Sequence, residues 1–312
     1  MIISASRRTD IPTFYSEWFF NRIKEGYVLV RNPMNAHQIS KISLSPDIVD
    51  GIVFWTKNPI PMLGRLDELK DYTYYFQFTL NSYGQDVETH VPNKQNVIIP
   101  AFQKLSDSIG PEKVIWRYDP VFLSEKYTPE YHIRYFEKLA KILHPYTQKC
   151  TFSFIDMYRN TEKNVKGLAL QPFPIEQQRY IAKNLADIAH SYGLQIDTCA
   201  EGIDLEQYGI QHARCIDDRL LSELIGCPLK VGKDKNQRLE CGCVESIDIG
   251  TYNTCRNGCL YCYANYSQKS VHTNSQKHNP NSPLLFGEVG DDDKITERKM
   301  HSCLSPQIGF DI

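Results

Sequence analysis

The run K-V-I-W-R-Y at residues 113–118 is strand length and built from β-branched and aromatic residues, and T-F-S-F-I-D at 151–156 repeats the pattern. Between them, Thr128-Pro129-Glu130 opens a helix. The threonine can cap it, and proline fits the first helical position, where an N–H would have no partner anyway. Ile133, Phe136, Leu139, Ile142 and Leu143 then recur at helical spacing. Strand, helix and strand in that order make a parallel βαβ unit, because parallel neighbours need a long crossover connection.

The same alternation extends both ways. Strand-like runs recur at 2–6 (I-I-S-A-S), 27–31 (Y-V-L-V-R), 51–56 (G-I-V-F-W-T), 74–80 (Y-Y-F-Q-F-T-L) and 194–199 (L-Q-I-D-T-C). Phe14, Trp18, Phe19 and Ile23 share one helical face, as do Ile175, Ile181, Leu185 and Ile188, with Gly193 as the stop. Seven or eight such units before residue 230 predict an α/β protein with a TIM-type (β/α) barrel, closed or nearly closed, over residues 1–229. A doubly wound open sheet is the rival. It is weakened because no G-x-G-x-x-G follows the first strand and no G-x-x-x-x-G-K-[ST] occurs. From 230 onward the chain turns polar and loses its period. Residues 267–283 read as a polar loop, and Gly290–Asp293 as a turn before a short basic helix. Residues 230–312 are expected to form a cysteine-rich C-terminal extension packed on the barrel.

Lys and Arg total 35 against 37 Asp and Glu, so the chain lacks the basic excess of a dedicated nucleic-acid binder. No secretory h-region opens the sequence and no apolar run approaches eighteen residues, which predicts a cytoplasmic protein with no membrane span. In a reducing compartment, ten cysteines point to metal or redox chemistry rather than a disulfide framework.

Parallel barrels carry their chemistry at the C-terminal ends of the strands. Arg7, Arg8 and Asp10 follow the first run, Lys57 the third, Arg117 and Asp119 the fifth, Asp156 the sixth, and Glu201 the seventh. Loops are wet and carry charge for that reason alone, but so many charged strand ends together outline a lined pocket. Arg7, Arg8, Lys57 and Arg117 suit a carboxylate or phosphate. Asp119, Asp156 and Glu201 suit the balancing of those charges, or ribose hydroxyls and an amine.

The extension contains T-C-R-N-G-C-L-Y-C-Y-A-N at 254–265, a C-x3-C-x2-C spacing of Cys255, Cys259 and Cys262. Three thiolates on a tight loop can hold three irons of a cubane cluster and leave the fourth open. Gly258 suits the bend, and Tyr261 would pack beside the cluster. A zinc knot would need a fourth ligand from elsewhere; three unligated buried cysteines are the bland alternative. Cys199, Cys215, Cys241 and Cys243 number four, enough for a second iron–sulfur cluster or a zinc site, though each can also serve as a small buried hydrophobe. Cys150, Cys227 and Cys303 read as structural or incidental, and His278 as solvent-facing rather than a ligand.

Cys255, Cys259, Tyr261 and Cys262 resemble the radical S-adenosylmethionine (SAM) signature C-x3-C-x-Φ-C, with Φ aromatic. G-C-L-Y-C-Y-A is similar to the version in relatives of spore photoproduct lyase. The resemblance implies that the three cysteines ligate a 4Fe-4S cluster, that SAM binds its open iron, and that reductive cleavage yields a 5′-deoxyadenosyl radical. Two features depart from that superfamily: the motif follows the barrel instead of opening it, and no G-G-E-like stretch comes after it. S-A-S-R-R-T-D-I-P, F-W-T-K-N-P, V-I-W-R-Y-D-P, S-F-I-D-M-Y and the cysteine-rich segment together resemble the bacterial domain-of-unknown-function family 1848, over roughly residues 1 to 300. The expected activity is therefore radical SAM-like. The expected partners are a small-molecule or peptide substrate and an electron donor such as flavodoxin or ferredoxin. An iron–sulfur electron-transfer or sensing protein, and a barrel with structural zinc, are the alternatives.

Overall fold

Eleven strands lie among residues 1–305, which are the residues this computed structural model describes. They are β1 Ile2–Ala5, β2 Tyr27–Asn32, β3 Asn35–Ser43, β4 Gly51–Thr56, β5 Tyr74–Thr79, β6 Val114–Val121, β7 Lys149–Phe154, β8 Gln195–Thr198, β9 Gln211–His212, β10 Ile247–Asp248 and β11 Lys294–Glu297. Eight of them form one parallel sheet in the order β10-β1-β4-β5-β6-β7-β8-β9. The helices Ser16–Glu25, Ile99–Ile109, Pro129–Leu143 and Ile175–Ser191 supply crossovers. As the sequence predicts, the Thr128 side chain accepts from the Tyr131 N–H and caps its helix.

Side chains alternate across the strands and make two cores. Ile3, Phe54, Phe76, Phe78, Trp116 and Phe152 face the helices. Ile2, Val53, Tyr75 and Ile115 face the other way, onto Ala213, Cys215, Ile216, Leu221, Cys241, Cys243 and Val244. The segment from 213 to 244 therefore fills the inside of the curved sheet. Its helix, Asp218–Ile225, is capped by Asp217 and presses Leu221 onto Gly51 so closely that a Cβ there would meet Leu221 Cδ2 at 2.6 Å.

Closure of the barrel is not observed. No ladder joins β9 to β10 among the described residues. Each of these edge strands is only two residues long, and the cysteine-bearing segments that meet between them, 213–217 and 241–246, contain no strand or helix. Among the described residues a single backbone hydrogen bond, Val244 N–H to Ile216 O at 3.2 Å, crosses the seam. Residues 247–248, beyond the expected barrel boundary, add the strand that flanks β1. The tail of the expected extension, 306–312, lies outside the described residues.

Three sequence expectations are corrected. The 27–31 run is β2, which does not enter the parallel sheet but pairs antiparallel with β3, while β11 adds parallel on the far side of β3. Only Pro33 and Met34 separate β2 from β3, far too few residues for a parallel crossover. Residues 268–276 are a helix capped by Ser267, not a loop. Its single buried residue, Val271, leaves no apolar stripe to read. The expected basic helix after Asp293 is β11, held to β3 through its backbone with all four residues exposed. No helix among the described residues is long and apolar enough to cross a membrane.

Candidate functional site at the open end of the sheet

The loop bearing Cys255, Cys259 and Cys262 folds back onto the C-terminal ends of the strands. Asp10, after β1, accepts from the Thr13 N–H (3.0 Å), Thr56 Oγ1 (2.8 Å), the Lys57 N–H (2.8 Å) and Asn257 Nδ2 (2.9 Å). Asn257 lies between the first two cysteines, so Asp10 bolts the loop to the ends of β1 and β4. Burial pushes the Asp10 pKa up, and outweighs the donors that pull it down.

A second anchor stands after β5. Lys57 Nζ donates to Glu88 Oε1 (2.7 Å) and to the Tyr261 hydroxyl (2.8 Å), and that hydroxyl donates to Glu88. Lys94 pairs with the other Glu88 oxygen, and Asn81 Nδ2 donates to Tyr261 at 3.1 Å. Glu88 is 1% exposed. Burial would raise its pKa, but the Lys57 and Lys94 ammoniums override this and hold it at about 2. Lys57, expected as a free anion binder, is thus committed to a buried carboxylate. Tyr261 plugs its hydroxyl into the sheet end. Glu88, Lys94 and Asn257 were not singled out by sequence reading. Glu88 sits in an irregular loop after β5 and Lys94 opens the helical turn Lys94–Ile98, and nothing local announces partners that arrive from far along the chain.

Backbone contacts complete the seat. His90 N–H donates to Asn257 O (3.1 Å) and Leu260 N–H to Val87 O (3.0 Å), so residues 87–90 run antiparallel to 257–260. Gly258 has φ +66°, and a Cβ there would lie 2.1 Å from Thr89 Oγ1. A glycine is required on both counts. The Tyr263 hydroxyl reaches Arg7 O (2.9 Å), and Asn164, after β7, donates to Cys262 O (3.3 Å) and Asn265 O (3.1 Å). Burial pushes the Cys255 and Cys259 thiols up to about 12 and Cys262 to about 11.

Next to this loop, Arg7, Trp55, Arg117 and Asp119 come together. The guanidinium carbons of Arg7 and Arg117 lie 5.9 and 5.1 Å from the Trp55 ring centroid. Arg117 pairs with Asp119, which also accepts from Ser153 Oγ. Arg7 lies 3.9 Å from Asp234. Arg8 is turned toward Asp248 (3.9 Å) and stacks over Tyr252 (5.1 Å). Beyond β7 and β8, Asp156 pairs with Arg238 at 2.7 Å. Glu201 accepts from the Phe154 N–H at 2.8 Å, and burial pushes its carboxyl up to about 7.

The four remaining candidate cysteines also converge. Cys199 follows β8, Cys215 follows β9, and Cys241 and Cys243 precede β10. Cys215 Sγ is 3.3 Å from Cys199 Sγ and accepts from Arg117 Nη1 at 2.9 Å. The Ile216 N–H points at Cys243 Sγ at 3.4 Å. Tyr75 and Gln77 hold the Cys215 carbonyl at 2.7 and 2.9 Å. Hydrogen bonds from Cys199 and Cys243, with Arg117 beside them, pull the Cys215 thiol well below its ordinary pKa. Among the described residues no group of three or more His, Cys, Asp or Glu side chains is placed to hold a metal ion.

No curated protein matches the sequence. The family model of the domain of unknown function DUF1848 matches residues 2–264, a span that holds both cysteine groups and the strand ends between them, and the chain belongs to that family.

Proposed function

We propose that the protein is a radical SAM-like iron–sulfur enzyme, built on a TIM-type barrel left open at the β9–β10 seam. Cys255, Cys259 and Cys262 would hold a 4Fe-4S cluster. Three thiols on one tight loop support this, and although burial raises the Cys259 and Cys262 thiols, the nearby Lys57 ammonium offsets part of that effect. When bound, the cluster supplies one-electron reduction of S-adenosylmethionine at its open iron, drawing on a donor of the flavodoxin or ferredoxin type.

One observation carries this reading. The C-x3-C-x-aromatic-C loop, late in the chain, is anchored through Asp10–Asn257 and Glu88–Tyr261 onto the strand ends where parallel barrels place their chemistry. Asp10, Lys57 and Glu88 position the loop. The Arg7 and Arg117 guanidiniums against Trp55 suit an anionic group. The buried Arg7 Nε and Trp55 Nε1 donors have no protein partner among the described residues, so an acceptor on a ligand would satisfy them. Glu201, with a pKa near 7, can take up or release a proton at working pH. A small molecule or a peptide suits this end better than nucleic acid, given the formal net charge of −2.

The test is electron paramagnetic resonance on anaerobically reconstituted, reduced protein with and without SAM, beside a variant with Cys255, Cys259 and Cys262 all changed to Ala. A cubane signal that SAM perturbs, present only with the three cysteines, is the expected result. A signal indifferent to SAM would make the protein an electron carrier or sensor. Absence of any cluster from the wild type would overturn the proposal.

A further inference from the structure

Cys199, Cys215, Cys241 and Cys243 arrive from three separate segments at the one place where the parallel sheet fails to close. Cys199 extends β8, Cys215 follows the edge strand β9, and the Cys-Gly-Cys pair leads into the opposite edge strand β10. Cys215, Cys241 and Cys243 are 2%, 5% and 2% exposed, and Cys199 is half-buried. The bends that carry them are tightly packed. A Cβ on Gly242 would lie 2.8 Å from the Ala213 carbonyl oxygen, so Cys-Gly-Cys and the strand-end run before Cys215 press backbone to backbone.

The surroundings suit sulfur anions. A main-chain N–H points at Cys243 Sγ and a fully buried guanidinium at Cys215 Sγ. The spacing of one pair, Cys199 and Cys215, bears on the kind of metal. A tetrahedral ion with metal–sulfur bonds of about 2.3 Å sets its sulfurs about 3.8 Å apart. The observed 3.3 Å between Cys199 and Cys215 needs only a small side-chain rotation to reach that value. A cubane, with an iron at each of four corners, spreads its cysteines over a much larger tetrahedron.

We propose that these four cysteines bind a single zinc ion that staples β9 to β10 and does the work of the missing ladder. Each thiol gives its proton to solvent on binding, and no oxidation state changes. Four thiolates and Zn2+ sum to −2, and the Arg117 guanidinium, whose Nη1 donates to Cys215 Sγ, offsets part of that charge. With all four positions taken by protein, the ion is structural and not catalytic. Cys241 borders a cleft of about 410 Å³ shared with Arg214 and Lys233, a route by which the ion can enter.

The experiment uses the full chain carrying Ala at 255, 259 and 262, so its outcome is independent of the proposed cluster. Metal analysis should find one zinc per chain, and cobalt substitution should give the intense visible bands of a tetrahedral tetrathiolate. Alkylation followed by mass spectrometry should find Cys199, Cys215, Cys241 and Cys243 protected until a chelator is added. Adding Cys215→Ser or Cys243→Ser should drop zinc from one per chain to none. Should those variants fail to fold, the cobalt spectrum and the chelator-dependent protection still decide the matter. Iron with sulfide on these residues, a Cys199–Cys215 disulfide, or alkylation unaffected by chelator would each overturn the proposal.

Discussion

Replacing Glu88 with Gln keeps the shape of the side chain and removes the one charge that Lys57 and Lys94 share. Two ammoniums would then stand side by side in a buried setting without the carboxylate between them. Removing one partner of a buried pair costs about 3–5 kcal/mol. The titration of Glu88 gives a similar figure. Its carboxyl sits at about 2 when folded, against about 4.3 for an unperturbed glutamate, and that gap corresponds to about 3 kcal/mol. Because the folded value is the lower one, the stabilisation is fully present above about pH 5 and is lost as the pH falls from there toward 2. Urea unfolding of the wild type and Glu88→Gln should differ by about 3 kcal/mol at pH 7, with the difference shrinking steadily on acidification. Tyr261 and Lys57 would loosen together, so the variant should also retain less reconstituted iron. A cost under about 1 kcal/mol at pH 7, or a difference that does not change with pH, would refute the assignment of Glu88 as the charged anchor of the cysteine loop.

Gly258→Ala places a Cβ 2.1 Å from Thr89 Oγ1 at φ +66°, so it should cost about 1–3 kcal/mol and raise amide exchange across 255–260; unchanged exchange would count against the seat described for the loop. The Glu201 carboxyl, raised to about 7 when folded, binds a proton more readily in the folded than in the unfolded chain. Its contribution to stability should therefore fall as pH rises from about 4.3 to 7 and level off above, and Glu201→Gln should remove that slope from unfolding curves.

What could be read from the sequence was what depends on near neighbours. The βαβ units follow from residue spacing and a proline-started helix, and the cysteine motif is complete within eight residues. The hairpin was misread because Y-V-L-V-R carries the same strand chemistry whichever partner it takes, and the two-residue turn at 33–34 decides between them. The helix at 268–276 escaped because one buried valine makes no stripe.

The composition of the site depended on contacts between distant parts of the chain. Asp10 and Asn257 are 247 residues apart, and Glu88 and Tyr261 are 173 apart. Their types allow a catalytic acid as readily as a bolt; burial and the hydrogen bonds and ion pairs that hold them make them bolts. The four outlying cysteines could be counted in the sequence, but their meeting at the seam arises because the chain turns inward after β9 and returns at β10. Sequence alone thus determined a parallel α/β chain with a thiol-rich end, since local periodicity and spacing are properties of neighbouring residues. Only the tertiary structure decided where those thiols sit and which charges are spent holding them, because burial and pairing exist only once distant segments pack together.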